Sequence, residues 1–249
     1  MSQEKESPSR TDVWKMFDRI AHKYDLLNRM LSLGRDTYWR KRAASFIDEQ
    51  ENLKVLDLAT GTADIILSIC EKCEKNTAVH YAAGIDLSPN MLNIGRKKID
   101  AKALENTAVL LPGDVMEIPF RRGSFHAVTI AFGIRNVLNV NQALQEMFRV
   151  LGNRGRVIIL EFSLPTNYIL KHLYLLYFRT ILPKIGSILS GDSHAYRYLN
   201  RTVETFPFGK SFIELLTEAG FRGVKAYPMT FGIATIYIGE KLHPDQQIN

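Results

Sequence analysis

The stretch DLATGTAD, residues 57–64, joins the end of a short apolar run at 54–58 to a helix-like segment at 63–73. Strand-like and helix-like segments then alternate along the chain. Further strands are expected near 79–85, 108–112, 126–132 and 155–162, with helices near 89–101 and 140–151. This alternation is typical of right-handed βαβ units. It predicts an α/β fold with a mostly parallel, Rossmann-like sheet.

The segments on either side complete the architecture. Before the sheet, apolar residues recur at the spacing of one helix face, at Val13, Phe17, Ile20, Tyr24, Leu27 and Leu31. After it, a long helical insertion near 168–190 precedes a helix at 210–219 and strands at 224–228 and 234–239. The few residues between these last strands cannot hold a crossover helix. We therefore expect them to pair antiparallel at the edge of a seven-stranded sheet.

Functional residues are expected after the strands, because ligands of open α/β sheets bind beyond the carboxyl ends of the strands. Gly61 allows a ligand to approach the backbone, and Thr62 offers a hydroxyl and an N–H at a helix start. Asp86, after the second strand, can accept hydrogen bonds from both hydroxyls of a ribose. After the third strand, Asp114 can accept from an adenine amino group and the Val115 N–H can meet a ring nitrogen. Together they predict a nucleoside site.

The first loop narrows the choice of ligand. Residues 59–64, ATGTAD, contain one of the three glycines that a pyrophosphate-binding turn requires, which disfavours NAD. Asp57 and Asp64 would repel phosphates, but they suit a cationic sulfonium with an amino-acid tail. We therefore expect S-adenosylmethionine as the cofactor and a class I methyltransferase fold. The alternative is that Asp57 only caps a turn and Gly61 only ends a strand.

Composition excludes several other classes. Cys70 and Cys73 are the only cysteines, and no second pair completes a zinc site, so we interpret them as structural thiols and expect no metal. The net charge is +6, but the basic residues are dispersed and no recognition motif accompanies them, so we expect no nucleic-acid partner. Residues 1–10 lack the apolar core of a secretory signal, and we expect a cytoplasmic protein.

Four longer segments stand in a characteristic order: FDRIAHKYDLLNRMLSLGRDTYWR at 17–40, AFGIRNV at 131–137, LEFS at 160–163 and YRYLNRTVETFP at 196–207. With them, nearly the whole chain resembles the ubiquinone/menaquinone biosynthesis C-methyltransferases. The resemblance implies methylation of a polyprenylated quinol ring, either demethylmenaquinol or a methoxy-polyprenyl-benzoquinol, by a peripheral enzyme at the inner face of the membrane. A homodimer and a quinone-synthesis complex stay open. So do a methyltransferase for another lipid or phenolic acceptor and a non-catalytic scaffold that binds S-adenosylmethionine.

The acceptor chemistry requires a ring hydroxyl to ionise, although a phenol has a pKa of about 10. Arg135, just after the fourth strand, could stabilise the phenolate, and Asn136 could orient a ring oxygen. Tyr24, Tyr196 and Tyr198 are candidates to line the acceptor pocket. The alternatives are that Arg135 pairs with a carboxylate at the sheet edge, that Asn136 caps the next helix and that Tyr24 belongs to the core.

The insertion at 168–190 bears on membrane contact. Lys171, Arg179 and Lys184 interrupt its apolar run, and Pro183 breaks a helix, so it is poorly suited to span a bilayer. It predicts an amphipathic interfacial helix with aromatic residues against lipid and basic residues toward headgroups. An ordinary buried helix is the alternative.

The predicted organisation is one methyltransferase domain at 11–241. Within it we expect N-terminal helices at 11–50, a cofactor-binding core at 54–162, a helical substrate and membrane insertion at 163–208, and a C-terminal helix with a strand pair at 209–241. Residues 1–10 are expected to be disordered and residues 242–249 to form a flexible tail.

Overall fold

The structure is a computed structural model that describes residues 12–48, 50–73, 79–181 and 193–242. The predicted disorder at 1–10 and nearly all of the predicted tail at 242–249 lie outside these residues. So does the part of the insertion that contains Pro183 and Lys184.

Seven strands form one sheet in the order β3-β2-β1-β4-β5-β7-β6. Their bounds are β1 Leu53–Leu58, β2 Val79–Asp86, β3 Ala108–Pro112, β4 Phe125–Ala131, β5 Leu151–Phe162, β6 Arg222–Met229 and β7 Ala234–Glu240. Strands β1 to β5 are parallel, whereas β7 runs antiparallel to both β5 and β6. The predicted mostly parallel sheet with a C-terminal antiparallel pair is therefore confirmed. Strand β5 begins at Leu151, four residues before its predicted start.

The helices pack on both faces of this sheet. Their bounds are α1 Val13–Leu31, α2 Asp36–Ala44, α3 Asp64–Cys73, α4 Pro89–Asp100, α5 Val140–Val150, α6 Tyr168–Leu176, α7 Ser193–Thr205 and α8 Lys210–Glu218. One apolar core joins the sheet to α1, α2, α3, α4, α6 and α7, and the other joins it to α5 and α8. Alternating strand residues supply the two cores: Val55 faces the first and Leu56 the second.

Local signals explain where several helices begin. The Ser88 hydroxyl accepts a hydrogen bond from the Met91 N–H at 3.2 Å, and Pro89 occupies the first turn of α4. Asn139 caps α5 through the Gln142 N–H at 3.1 Å. The cap of this helix is thus Asn139, and the alternative role of Asn136 as its cap is wrong.

The insertion is helical on each side of its undescribed part. Helix α6 continues into a π-helical turn at Tyr177–Ile181, and α7 follows at Ser193–Thr205. Within the described part of the chain, no helix combines the length and the apolar character needed to cross a membrane.

Candidate active site

A cavity of about 310 Å³ opens at the carboxyl ends of the parallel strands. Six of the residues predicted for the cofactor or acceptor line it together: Tyr24, Gly61, Asp86, Asp114, Val115 and Asn136. They come from α1 and from the ends of β1, β2, β3 and β4. The cavity has the size of a small-molecule site, and its position is the one that strand topology dictates.

Helix α1 forms one wall of the cavity, and Tyr24 is the one residue of this wall that the sequence predicted. Val13, Trp14 and Phe17 line it beside Tyr24. The Phe17 and Tyr24 rings meet edge to face, with 5.9 Å between their centroids. The helical spacing of these residues showed an apolar face, but spacing alone could not tell that the face covers a ligand site.

Asp86 is held at the mouth of β2 by backbone donors. Its carboxylate accepts from the Gly61 N–H and from the Ser88 N–H, each at 2.8 Å. Gly61 adopts a φ of +54°, a left-handed conformation that favours glycine. Burial raises the pKa of Asp86, and the backbone donors counter that rise. The carboxylate is thus fixed in orientation and could accept hydrogen bonds from the two hydroxyls of a ribose.

Asp114 and Val115 follow β3 in a tight turn. The Asp114 carboxylate accepts from the Met116 N–H at 2.8 Å. Apolar side chains surround this part of the cavity, among them Leu87 and Leu138. A flat base could stack against such a wall while a carboxylate oxygen and a backbone N–H meet its polar edge.

Asp57 does not line this cavity. Its carboxylate accepts from the hydroxyls of Thr60 and Thr129, both at 2.6 Å. Burial raises the pKa of Asp57 to about 7, although the two hydroxyl bonds act to lower it. The Asp57 side chain therefore connects the loop after β1 to β4, in agreement with the alternative that it has a structural role. Its contact with a cofactor stays a prediction.

Thr62 also does not line this cavity, and its hydroxyl belongs to a polar network. Its hydroxyl donates to Asp25 at 2.7 Å and accepts from Lys98 Nζ at 3.0 Å. Lys98 also pairs with Asp25 and with Asp64, both at 2.6 Å. The predicted hydroxyl contact with the cofactor therefore stays a prediction, and Asp64 is neutralised by Lys98 on α4. Because Thr62 and Asp64 lie 36 and 34 residues from Lys98, and Asp25 lies 37 residues from Thr62, sequence spacing gave no sign of the network.

A second contact fixes α1 over the cavity. The Asp18 carboxylate accepts from the Ser88 hydroxyl at 2.6 Å and from the Asn90 N–H at 3.0 Å. It therefore caps the start of α4 from a neighbouring helix. Together with the Asp25–Lys98 pair, it attaches α1 to α4 at two points.

Arg135 is buried in a short 3-10 turn after β4, and only 3% of it is exposed. Its Nη1 donates to Glu161 Oε1 and to the Phe132 carbonyl, both at 2.6 Å. The second Glu161 oxygen accepts the Arg135 backbone N–H at 3.3 Å. Arg135 thus has the carboxylate partner that the alternative expected, and Glu161 lies in the LEFS segment. Arg135 itself does not line the cavity.

Asn136 and Tyr24 connect the cavity with Arg135. Asn136 lines the cavity, and its side-chain amide donates a hydrogen bond to the Phe132 carbonyl at 3.4 Å. Burial raises the pKa of Tyr24, while Asn28 and the charges of Arg40 and Arg135 act to lower it. Tyr24 thus lines the cavity and also lies on the apolar face of α1.

The other predicted tyrosines lie apart. Tyr198 is buried in the same apolar core as Tyr174 and Phe178 and does not line the cavity. The side chain of Tyr196 lies outside the described residues. Their contact with an acceptor stays a prediction. Among the described residues, no group of histidine, cysteine, aspartate or glutamate could hold a metal ion, and Cys70 and Cys73 are both buried.

Comparison with known proteins identifies the family. Residues 2–241 match the ubiE/COQ5 methyltransferase family. The Geotalea daltonii protein named ubiquinone/menaquinone biosynthesis C-methyltransferase UbiE is 42% identical, over 92% of this chain and 96% of that protein. The demethylmenaquinone methyltransferase of Thermus thermophilus is 42% identical, over 91% of this chain and 100% of its own.

Solved structures support the same fold. A SAM-dependent methyltransferase from Aquifex aeolicus superposes with a TM-score of 0.57 at 14% identity, over 82% of this chain and 89% of its own. The predicted class I methyltransferase fold and the resemblance seen in the sequence are both confirmed. With 240 consecutive residues, 2–241, matched to one family, the chain belongs to the ubiE/COQ5 methyltransferase family.

Proposed function

We propose that this protein transfers a methyl group from S-adenosylmethionine to a ring carbon of a polyprenylated quinol. The observation that carries the proposal is that Asp86, Asp114 and Val115 line one cavity together with Tyr24 and Asn136. One cavity thus contains groups that can bind a nucleoside and a wall with an aromatic ring and an amide. Such a cavity suits a cofactor and a flat acceptor ring that is aligned with its methyl group. The names of the relatives agree with a quinone-type acceptor.

The residues present fit S-adenosylmethionine. Asp86 would hold the ribose, Asp114 and Val115 the adenine, and the backbone at Gly61 the amino-acid portion. The carboxylate of Asp86, which lines the cavity, makes the surroundings favourable to a cation. When bound, the cofactor supplies a methyl group on a positively charged sulfur.

The chain's own part in the reaction is to orient the ring and to favour its phenolate. The cofactor would supply the methyl carbon to the ring carbon, and the electron pair of the carbon–sulfur bond would stay on sulfur. The methylated ring carbon would then lose its proton while the ring oxygen takes one up again, so the transfer releases only the one proton that the phenol first lost. Arg135 would stabilise the phenolate, and each unit by which it lowers the phenol pKa corresponds to about 1.4 kcal/mol. Asn136 would orient a ring oxygen.

A transfer assay with labelled S-adenosylmethionine tests this function. We expect turnover with a short-chain demethylmenaquinol or a methoxy-benzoquinol under reducing conditions, and comparison of the two identifies the ring. Cofactor binding without turnover of either quinol would contradict the proposal. That result would favour another acceptor or a non-catalytic scaffold.

We further propose that the outer face of α6 rests on the membrane that contains the quinol. Its exposed residues are large and apolar: Tyr168 is 73% exposed, Ile169 68%, Leu173 58% and Leu176 59%. The opposite face is buried, with Tyr174 at 6%. Contiguous apolar side chains of this size mark interaction sites on soluble domains, and a helix of this kind can lie in the lipid interface.

Liposome co-sedimentation tests this surface. We expect Leu173→Glu with Leu176→Glu to abolish sedimentation with anionic liposomes and to leave activity on a short-chain quinol near that of the unchanged protein. Asn141→Asp with Gln145→Glu is the matched control, because it adds the same charge on exposed positions of α5. Equal sedimentation of both variants would refute the membrane surface. Phe178 is unsuited to this test because it is fully buried.

A further inference from the structure

Several buried polar atoms near Arg135 have no hydrogen-bond partner among the described residues. They are Arg135 Nε, the Tyr174 hydroxyl, Asn136 Oδ1 and Asn200 Oδ1. Buried polar groups are almost always hydrogen-bonded, and each one left without a partner destabilises a fold. Several in one region therefore indicate a ligand that supplies the missing partners.

Tyr174 lies on the inner face of α6, in the core that borders the cavity. Its ring stacks on Phe178, with 5.3 Å between centroids. Both rings belong to the apolar core that includes Phe132 and Phe162. The guanidinium carbon of Arg135 lies 5.3 Å from the centroid of Phe162. Arg135 and Tyr174 thus border the same apolar core, and Phe132 of that core lines the cavity.

Arg135 Nε needs an acceptor, and the Tyr174 hydroxyl can donate to the same one. Burial raises the pKa of Tyr174 well above that of a free phenol, although the charge of Arg135 acts to lower it, so the hydroxyl keeps its proton at neutral pH. Arg135 Nε is a donor at every pH. The Glu161 carboxylate does not serve them, because its oxygens accept from Arg135 Nη1, the Arg135 N–H and the Phe162 N–H.

From this excess of donors we infer that the Tyr174 hydroxyl and Arg135 Nε together hold one oxygen of the acceptor ring. Tyr174 is then a further catalytic residue, which donates a hydrogen bond to the developing phenolate. The inference rests on the proposed function, because it assigns a role within the same acceptor site. It also places head-group recognition beside the membrane surface, since Tyr174 points inward next to the exposed Leu173 on α6.

Tyr174→Phe tests the inference, because it removes one oxygen and keeps the ring. We expect kcat/KM for a short-chain demethylmenaquinol to fall by about 10- to 100-fold, the effect of losing a hydrogen bond to a charged group. The Kd for S-adenosylmethionine should stay within twofold. Thermal stability should be unchanged or higher, since a buried hydroxyl without a partner disappears. Tyr168→Phe, the same change at an exposed position of the same helix, is the control and should leave all three values unchanged.

Two results would overturn the assignment. Tyr174→Phe could retain kcat/KM within about threefold of the original protein, or it could lose activity together with a clear drop in Tm, which would mark a structural hydrogen bond. Failure of the proposed function itself gives a different result. In that case the unsubstituted protein turns over no quinol, and the role of Tyr174 falls with it.

Discussion

Removal of the Glu161 carboxylate should strongly destabilise the protein, because it leaves Arg135 as an isolated buried cation. Glu161 is 1% exposed and Arg135 3%, and their charged atoms approach to 2.6 Å. The carboxylate also accepts the backbone N–H groups of Arg135 and Phe162. Glu161→Ala deletes every one of these acceptors at once.

Breaking one partner of a buried ion pair costs about 3–5 kcal/mol. For a domain of this length, each kcal/mol shifts Tm by about 2–4 °C, so we expect Tm to fall by roughly 6–20 °C. Glu161→Gln keeps the size of the side chain and a carbonyl acceptor, and it should lose less. The matched control is Glu71→Ala, whose partner Lys41 lies at 3.1 Å in an exposed pair. Exposed pairs contribute about 0–1 kcal/mol.

Urea and thermal unfolding of the purified variants measure these differences. The order Glu161→Ala, Glu161→Gln, Glu71→Ala from the least to the most stable would agree with the geometry. A loss for Glu161→Ala as small as that for Glu71→Ala would refute the reasoning, because Arg135 could then reach water or another partner without cost.

Three further changes address the cofactor side of the cavity. Burial raises the pKa of Asp57 from 3.8 to about 7, so between these values the folded state holds a proton that the unfolded chain has released, and stability falls as pH rises. Asp57→Asn removes this pH dependence. In urea unfolding, the stability of the variant relative to the original protein should therefore increase by about 4 kcal/mol from pH 4 to pH 8. A difference in stability that does not change with pH would contradict the raised pKa. Asp86→Ala should weaken S-adenosylmethionine binding by about 10- to 100-fold in calorimetric titration, and an unchanged Kd would show that Asp86 does not contact the cofactor. Gly84→Ala should cost about 1–3 kcal/mol in urea unfolding, since its Cβ would lie 2.6 Å from Leu110 and 2.8 Å from Ile66, and a neutral result would mean that the strand shifts freely.

The sequence predicted the parts of the site that topology alone determines. Parallel strands bring their carboxyl ends to one edge, so the residues after β1 to β4 had to meet there, and Gly61, Asp86, Asp114 and Asn136 do line one cavity. The spacing of apolar residues in strands and helices likewise predicted the mostly parallel sheet. These predictions needed no knowledge of how any side chain is oriented.

The sequence could not predict which side chains would contact each other, and the reason is physical. Asp57 and Thr62 lie on the predicted loop, but neither lines the cavity, and their side chains form hydrogen bonds with Thr129 and Lys98. The Arg135–Glu161 pair spans 26 residues, and the Asp18–Ser88 contact spans 70. Such pairings depend on rotamers and on which charges become buried together, and local patterns contain neither.

The pairing of Arg135 with Glu161 changes how the site could favour a phenolate. A lone guanidinium would act through its charge at a distance, but here a carboxylate at 2.6 Å cancels much of that field. The ion pair leaves one donor without a partner, Arg135 Nε, and the hydroxyl of Tyr174 is a second, neutral donor in the same core. Hydrogen bonds to a charged acceptor act only at short range and over a narrow range of angles. An anion held in this way is selected by the position of its oxygen more than by its charge, so a displaced or differently substituted ring would lose the stabilisation even if it ionised as readily.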